Sequence, residues 1–79
     1  MTPLVISRNR VKELRARHSI TQGQLSSYLG MKVSNFRKKE KEYGLWKENE
    51  MHLIIYYFNH FCGENLKLDD LFMAEIIDQ

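Results

Sequence analysis

Apolar side chains between residues 22 and 61 recur at three- and four-residue spacing, with breaks at Gly30 and near Gly44. That is the pattern of consecutive amphipathic helices. Leu25, Tyr28 and Leu29 give Gln22–Leu29 a single apolar face. Thr21 followed at the third position by Gln24 is a capping box, in which each side chain satisfies an orphan backbone N–H at a helix start. Gly30 permits the left-handed conformation that ends this helix. A second helix is predicted from Val33 to about Glu42, anchored by Val33, Phe36 and Tyr43, while its other face carries Lys32, Arg37, Lys38 and Lys41. The stretch Thr21–Lys41 is thus two short helices joined by a sharp turn, the second apolar on one narrow stripe and basic elsewhere.

Around this pair the pattern predicts three more helices. Ser7 can cap a helix from about Arg8 to His18, with Val11, Leu14 and His18 facing inward and Ile20 packing just past its end. A fourth helix runs from about Asn49 to Phe61. Met51, Ile54, Ile55 and Phe58 follow the core spacing, and Leu53, Tyr56, Tyr57 and Phe61 make it apolar well beyond one stripe. Leu68 to Asp78 reads as a final helix, with Leu68, Leu71, Phe72, Ile76 and Ile77 apolar and Asp69 and Asp70 in the first turn, where the helix dipole favours them. Met1 to Ile6 holds Pro3 and a β-branched pair, and reads as an extended arm that either packs along the domain or pairs with a second copy. The expected fold is all-α: five helices over residues 8–79, preceded by an arm over residues 1–7.

Charge sharpens this picture. The formal net charge is only +2, but residues 1–47 carry eleven Lys/Arg against three acids, a net of +8, whereas residues 48–79 carry Lys67 against seven acids, a net of −6. The basic half coincides with the helix pair and has the sign expected of a nucleic-acid partner. At 79 residues the chain is one small domain, near the size at which folding alone is marginal. The single Cys62 can form no intramolecular disulfide and suits a reducing cytoplasm. Leu4-Val5-Ile6 is too short for a signal core, and Leu53–Phe58 falls far short of the roughly 20 apolar residues of a membrane span.

The run Arg10–Glu40, RVKELRARHSITQGQLSSYLGMKVSNFRKKE, resembles the helix-turn-helix of the phage Cro and repressor family of small DNA-binding regulators, and Leu68–Phe72, LDDLF, is similar to the end of its five-helix, lambda-repressor-like domain. The resemblance covers roughly residues 8 to 72. It is most specific at Thr21-Gln22, Leu25, Leu29-Gly30 and Glu40, in register with Leu14-Arg15. It implies an ion pair between Arg15 and Glu40 tying the first helix to the end of the recognition helix. It implies a DNA operator as partner, with Val33, Ser34, Arg37 and Lys38 as base readers. Val33 can touch a thymine methyl, Ser34 can donate or accept, and Arg37 or Lys38 can reach guanine O6 and N7. Thr21, Gln22, Lys32 and Lys41 are then expected at phosphates. Trp46 sits where the family places an apolar residue that seals a loop onto the core. The chain departs from the family at Lys32, Lys47 and Lys67, which stand where relatives often carry a Ser or Thr cap; Asn49 and Asn65 are the nearby candidates to take over.

The reading is a cytoplasmic, nucleoid-associated transcription regulator acting as a homodimer on double-stranded DNA, and its compactness resembles the Cro side of a phage or prophage circuit. The aromatic fourth helix, the final helix and the arm are the surfaces available for pairing. The alternative is a protein-interaction module of the same fold, an antirepressor or antitoxin-like partner of another regulator, motivated by the over-apolar fourth helix. No enzyme, cofactor or metal is expected. His18, His52, His60 and Cys62 show no arrangement of nucleophile, base and orienting group, and His60 with Cys62 gives two ligands where structural zinc wants four.

Overall fold

The computed structural model describes residues 4–41 and 46–77. In chain order these form β1 (Leu4–Asn9), α1 (Val11–Arg17), α2 (Gln22–Leu29), α3 (Val33–Lys41), α4 (Glu48–Phe61), α5 (Leu68–Leu71) and β2 (Phe72–Ile77). The five helices make a small helical body with one shared core. Each contributes to it: Leu14 from α1, Leu25 from α2, Phe36 from α3, Ile54 and Phe58 from α4, and Leu71 from α5, all with at most 1% of their surface exposed. Burial of each such side chain is worth about 1.5–3 kcal/mol before the entropy of ordering it.

Helix ends follow local chemistry. At the start of α2 the Gln24 N–H donates to Thr21 Oγ1 at 3.0 Å and the Thr21 N–H donates to Gln24 Oε1 at 2.8 Å, as the capping box predicts. At its end Gly30 has φ +71°, and the Met31 N–H reaches back to the Ser26 carbonyl at 3.0 Å. α1 closes in the same way without a glycine. Ser19 takes φ +55°, and the Ile20 N–H donates to the Arg15 carbonyl at 2.8 Å, which carries Ile20 into the core.

Four expectations are corrected. The first helix starts at Val11, not Arg8. Ser7 lies in β1 instead of capping it, and Asn9 Oδ1 accepts the Val11 N–H at 3.2 Å. The final helix stops at Leu71: Phe72 is already extended, and Phe72–Ile77 is a strand. It pairs antiparallel with the arm, from Leu4 opposite Ile77 to Asn9 opposite Phe72, so the arm is taken up by this chain's own tail. A short apolar run fits either period, and here pairing decides, because the arm's backbone groups find partners in β2. The Arg10 N–H then donates to the Leu71 carbonyl at 2.9 Å and joins ribbon to helix. Asn49 and Asn65 do not take over the caps. α4 and α5 begin directly after Lys47 and Lys67, and the acid three residues on accepts the lysine N–H: Glu50 from Lys47 at 2.9 Å and Asp70 from Lys67 at 2.8 Å. Half of a capping box survives without the hydroxyl. Lastly, Val33 is 38% exposed, so it anchors nothing. Tyr43, the helix end near Glu42 and the loop through Leu45 lie outside the described residues.

Candidate nucleic-acid interface

The direction α3 faces is set by what its inner side grips. Phe36 is fully buried, edge-on to Trp46 with ring centroids 5.4 Å apart, and the Arg15 guanidinium lies over its ring at 6.0 Å. One turn on, Glu40 accepts from Arg15 Nε at 2.7 Å and Nη2 at 2.9 Å in a bidentate pair whose side chains are 3% and 13% exposed. Arg15 also donates through Nη1 to the Ile20 carbonyl at 3.1 Å. This planar, two-bond geometry is what makes Arg suited to a buried carboxylate.

With Phe36 and Glu40 inward, the helical rotation of about 100° per residue carries Ser34, Lys38 and Lys41 to the opposite arc and leaves Arg37 on the flank beside Glu40. All four are exposed, as are Thr21, Lys32 and Val33. A turn of three residues, Gly30 to Lys32, separates α2 from α3. Gln22, on the first turn of α2, is half-buried. It donates through Nε2 to Glu40 Oε1 at 3.0 Å and accepts from Arg37 Nε at 3.0 Å. Of the predicted contact residues, the structure joins Gln22 and Arg37 directly by a hydrogen bond.

A second strut fixes the far end of α3. Lys39 Nζ donates to Glu50 Oε1 at 2.6 Å, with both side chains largely buried. Burial alone pushes the Glu50 carboxyl up, but the hydrogen bonds from Lys39 and from the Lys47 backbone, with the charges of both lysines, hold it below its ordinary value. A carboxyl held low in the folded chain favours folding above the ordinary carboxylate range and loses that contribution as pH falls through it. The melting temperature is accordingly expected to drop as pH falls from about 5 to 3, and Glu50→Gln to flatten part of that slope. An unchanged slope in the variant would show that Glu50 carries none of the dependence.

The Arg15–Glu40 pair is the one the family resemblance implies, whereas no local pattern announces the Lys39–Glu50 contact. In the sequence Lys39 and Glu50 are two charges eleven residues apart, and the resemblance implies a phosphate contact for Gln22. The signal for Gln22 was present in Arg37 and Glu40, three residues apart on one helix face. Trp46 is buried, with its indole N–H enclosed and without a hydrogen-bond partner among the described residues, in keeping with a residue that seals the core. His18 points inward, 6.1 Å from Phe58, with Nε2 3.4 Å from a Glu64 carboxylate oxygen that Arg17 Nη1 reaches at 3.1 Å. Among the described residues no cluster of three or more potential ligands could hold a metal, and no helix is long and apolar enough to cross a membrane.

Beyond this end of the body, α2 and α4 present an aromatic face. Tyr28 meets Tyr57 at 4.9 Å and Phe61 at 6.1 Å, and Tyr56 stacks on His60 at 5.1 Å. Phe61 and Tyr56 remain more than half exposed.

Comparison with protein-family models, curated proteins and solved structures finds no match.

Gly23 sits on the exposed first turn of α2. A Cβ there would meet only Thr21 Oγ1, at 3.8 Å, an ordinary contact. Gly23→Ala is expected to stabilise the fold by about 0.5–1 kcal/mol, read as a raised denaturation midpoint. A lowered midpoint would point to a clash in the capping turn. Weaker DNA binding by the stabilised variant would show that backbone approaches a ligand at Gly23.

Proposed function

We propose that this chain is a sequence-specific DNA-binding transcription regulator of the Cro and repressor type. α3 enters the major groove of an operator and α2 lies across the adjoining backbone. Ser34, Arg37 and Lys38 face base edges together with Val33, and Lys32, Lys41 and Thr21 face phosphates. The observation that carries this reading is the exposed set of Ser34, Lys38 and Lys41, held outward by the burial of Phe36 and Glu40 on the opposite side of the same helix, with exposed Arg37 on its flank. A domain of this size spans one half-site, so the active form is a homodimer on half-sites about one helical turn apart. The place of action is the cytoplasm, on the nucleoid.

Selection of bound sequences from random duplexes tests this directly. Enrichment of a palindrome is the expected result, and it would report base reading and dimer symmetry together. A pool that stays random would overturn it.

A second reading, a protein-interaction module acting on another regulator, is favoured by the exposed aromatic face of Tyr28, Tyr56 and Phe61. The same face would serve a dimer. Charge reversal at Arg37 and Lys38 that left regulation intact would decide for the module.

A further inference from the structure

We infer that Gln22 is a positioning residue: it orients the Arg37 guanidinium for a guanine edge and is not itself a phosphate contact. This rests on the DNA-reading function proposed above.

The inference begins with the polarity of the hydrogen bonds. Both oxygens of Glu40 can only accept, and Arg15 already donates to each, at 2.7 and 2.9 Å. The Gln22 group 3.0 Å from Glu40 Oε1 must therefore be its NH2, which turns the amide oxygen toward Arg37, whose Nε donates to it at 3.0 Å. Only a side chain with a donor on one side and an acceptor on the other can bridge an acceptor and a donor in this way. Glutamate would set a second carboxylate against Glu40, and alanine would leave Arg37 untethered.

The consequence lies at the end of the arginine. An exposed arginine held only by its own torsions samples many rotamers. Bonded through Nε, its plane is restrained by that bond, while Nη1 and Nη2 keep their donors without a hydrogen bond among the described residues. Two parallel donors in one plane match the O6 and N7 acceptors of guanine. The orienting chain runs inward from Arg37 through Gln22 and Glu40 to Arg15 and the Ile20 carbonyl, so the reader is anchored to the core. A fixed donor pair loses less freedom on binding, and it rejects bases that lack the matching acceptors.

Two measurements on the full chain test this. In the free protein, NMR of the arginine Nε–H groups should show Arg37 Nε as rigid and slow to exchange, becoming mobile in Gln22→Ala. A mobile Arg37 in the unaltered chain would overturn the inference without reference to DNA. On duplexes, the position read by Arg37 is the one whose preference disappears in Arg37→Ala. There Gln22→Ala, and the shape-preserving Gln22→Met, should lose about tenfold in discrimination for guanine, with non-specific affinity and salt dependence retained, and neither should have an effect in an Arg37→Ala background. If Gln22→Ala instead weakens specific and non-specific binding alike and removes about one unit from the salt slope, Gln22 is a phosphate contact and the inference is wrong. Unchanged discrimination also overturns it. No enriched sequence with the unaltered chain would remove the DNA-reading function itself, an outcome distinct from the others.

Discussion

Glu40→Ala is expected to destabilise the fold by about 3–5 kcal/mol, because it leaves the buried charge of Arg15 without its carboxylate. Glu40 is 3% exposed and accepts three hydrogen bonds, two from Arg15 and one from Gln22. After its removal the Arg15 guanidinium, 13% exposed and lying over Phe36, keeps the Ile20 carbonyl as its one hydrogen-bond partner among the described residues. Small domains have about 5–15 kcal/mol of stability in all, so a loss of this size leaves much of the chain unfolded at ordinary temperatures. Urea denaturation followed by helical circular dichroism reads it as a collapse of the midpoint with little change in slope. Two companion variants separate charge from shape. Glu40→Gln keeps the volume and one acceptor and should cost less. Removing both partners together, as Arg15→Met with Glu40→Leu, should restore much of what Glu40→Ala loses, because no unpaired charge remains. A midpoint for Glu40→Ala within about 0.5 kcal/mol of the unaltered chain would mean that the pair is no more than two solvated charges.

How far the fold could be read in advance depended on whether the deciding interaction was local. α2 was legible at both ends, because the Thr21–Gln24 box and Gly30 act within a few residues of the backbone they satisfy. The buried faces of α3 and α4 were legible for the same reason, with Phe36, Ile54 and Phe58 at helical spacing. Where distant segments compete, local pattern misleads. Phe72–Ile77 has helical spacing of apolar residues, yet it is a strand because Leu4–Asn9 lies beside it, and neither segment carries a mark of the other. Ser7 is as good a cap residue as Asn9, but the helix starts at Val11, and Asn9, two residues before it, is the one that accepts the Val11 N–H. The candidate interface divides along the same line. Exposure of Arg37, Lys38 and Lys41 follows from the helical period once Phe36 is known to be inside. The bonds of Gln22 to Glu40 and Arg37, by contrast, need the three-dimensional angle between α2 and α3.

DNA binding is expected to weaken steeply with salt, and by an amount the exposed arc fixes in advance. Lys32, Arg37, Lys38 and Lys41 are the exposed cations of the α3 region. Of these, Lys32 and Lys41 face phosphates, and if each neutralises about one, the logarithm of the binding constant should fall with the logarithm of salt concentration at a slope of about −2 per chain, or about −4 for a dimer. Between 50 and 200 mM salt that amounts to roughly tenfold for a single chain and about 10²-fold for a dimer. Reversing two of these charges, Arg37→Glu with Lys38→Glu, removes two attractive terms and adds two repulsive ones on the exposed side of α3. It should abolish measurable binding to any duplex while leaving the fold intact, because neither side chain belongs to the core. Fluorescence anisotropy on one duplex across a salt series reads both effects, with circular dichroism as the control for folding. The acidic half gives the experiment its discriminating power. With a net of −6 over residues 48–79, that half is repelled by DNA and gains from low salt only against a basic partner. A chain whose binding to duplex is weak and insensitive to salt, but whose association with another protein survives the double reversal and fails in Tyr56→Ser with Phe61→Ser, acts through the aromatic face of α2 and α4 and not through α3.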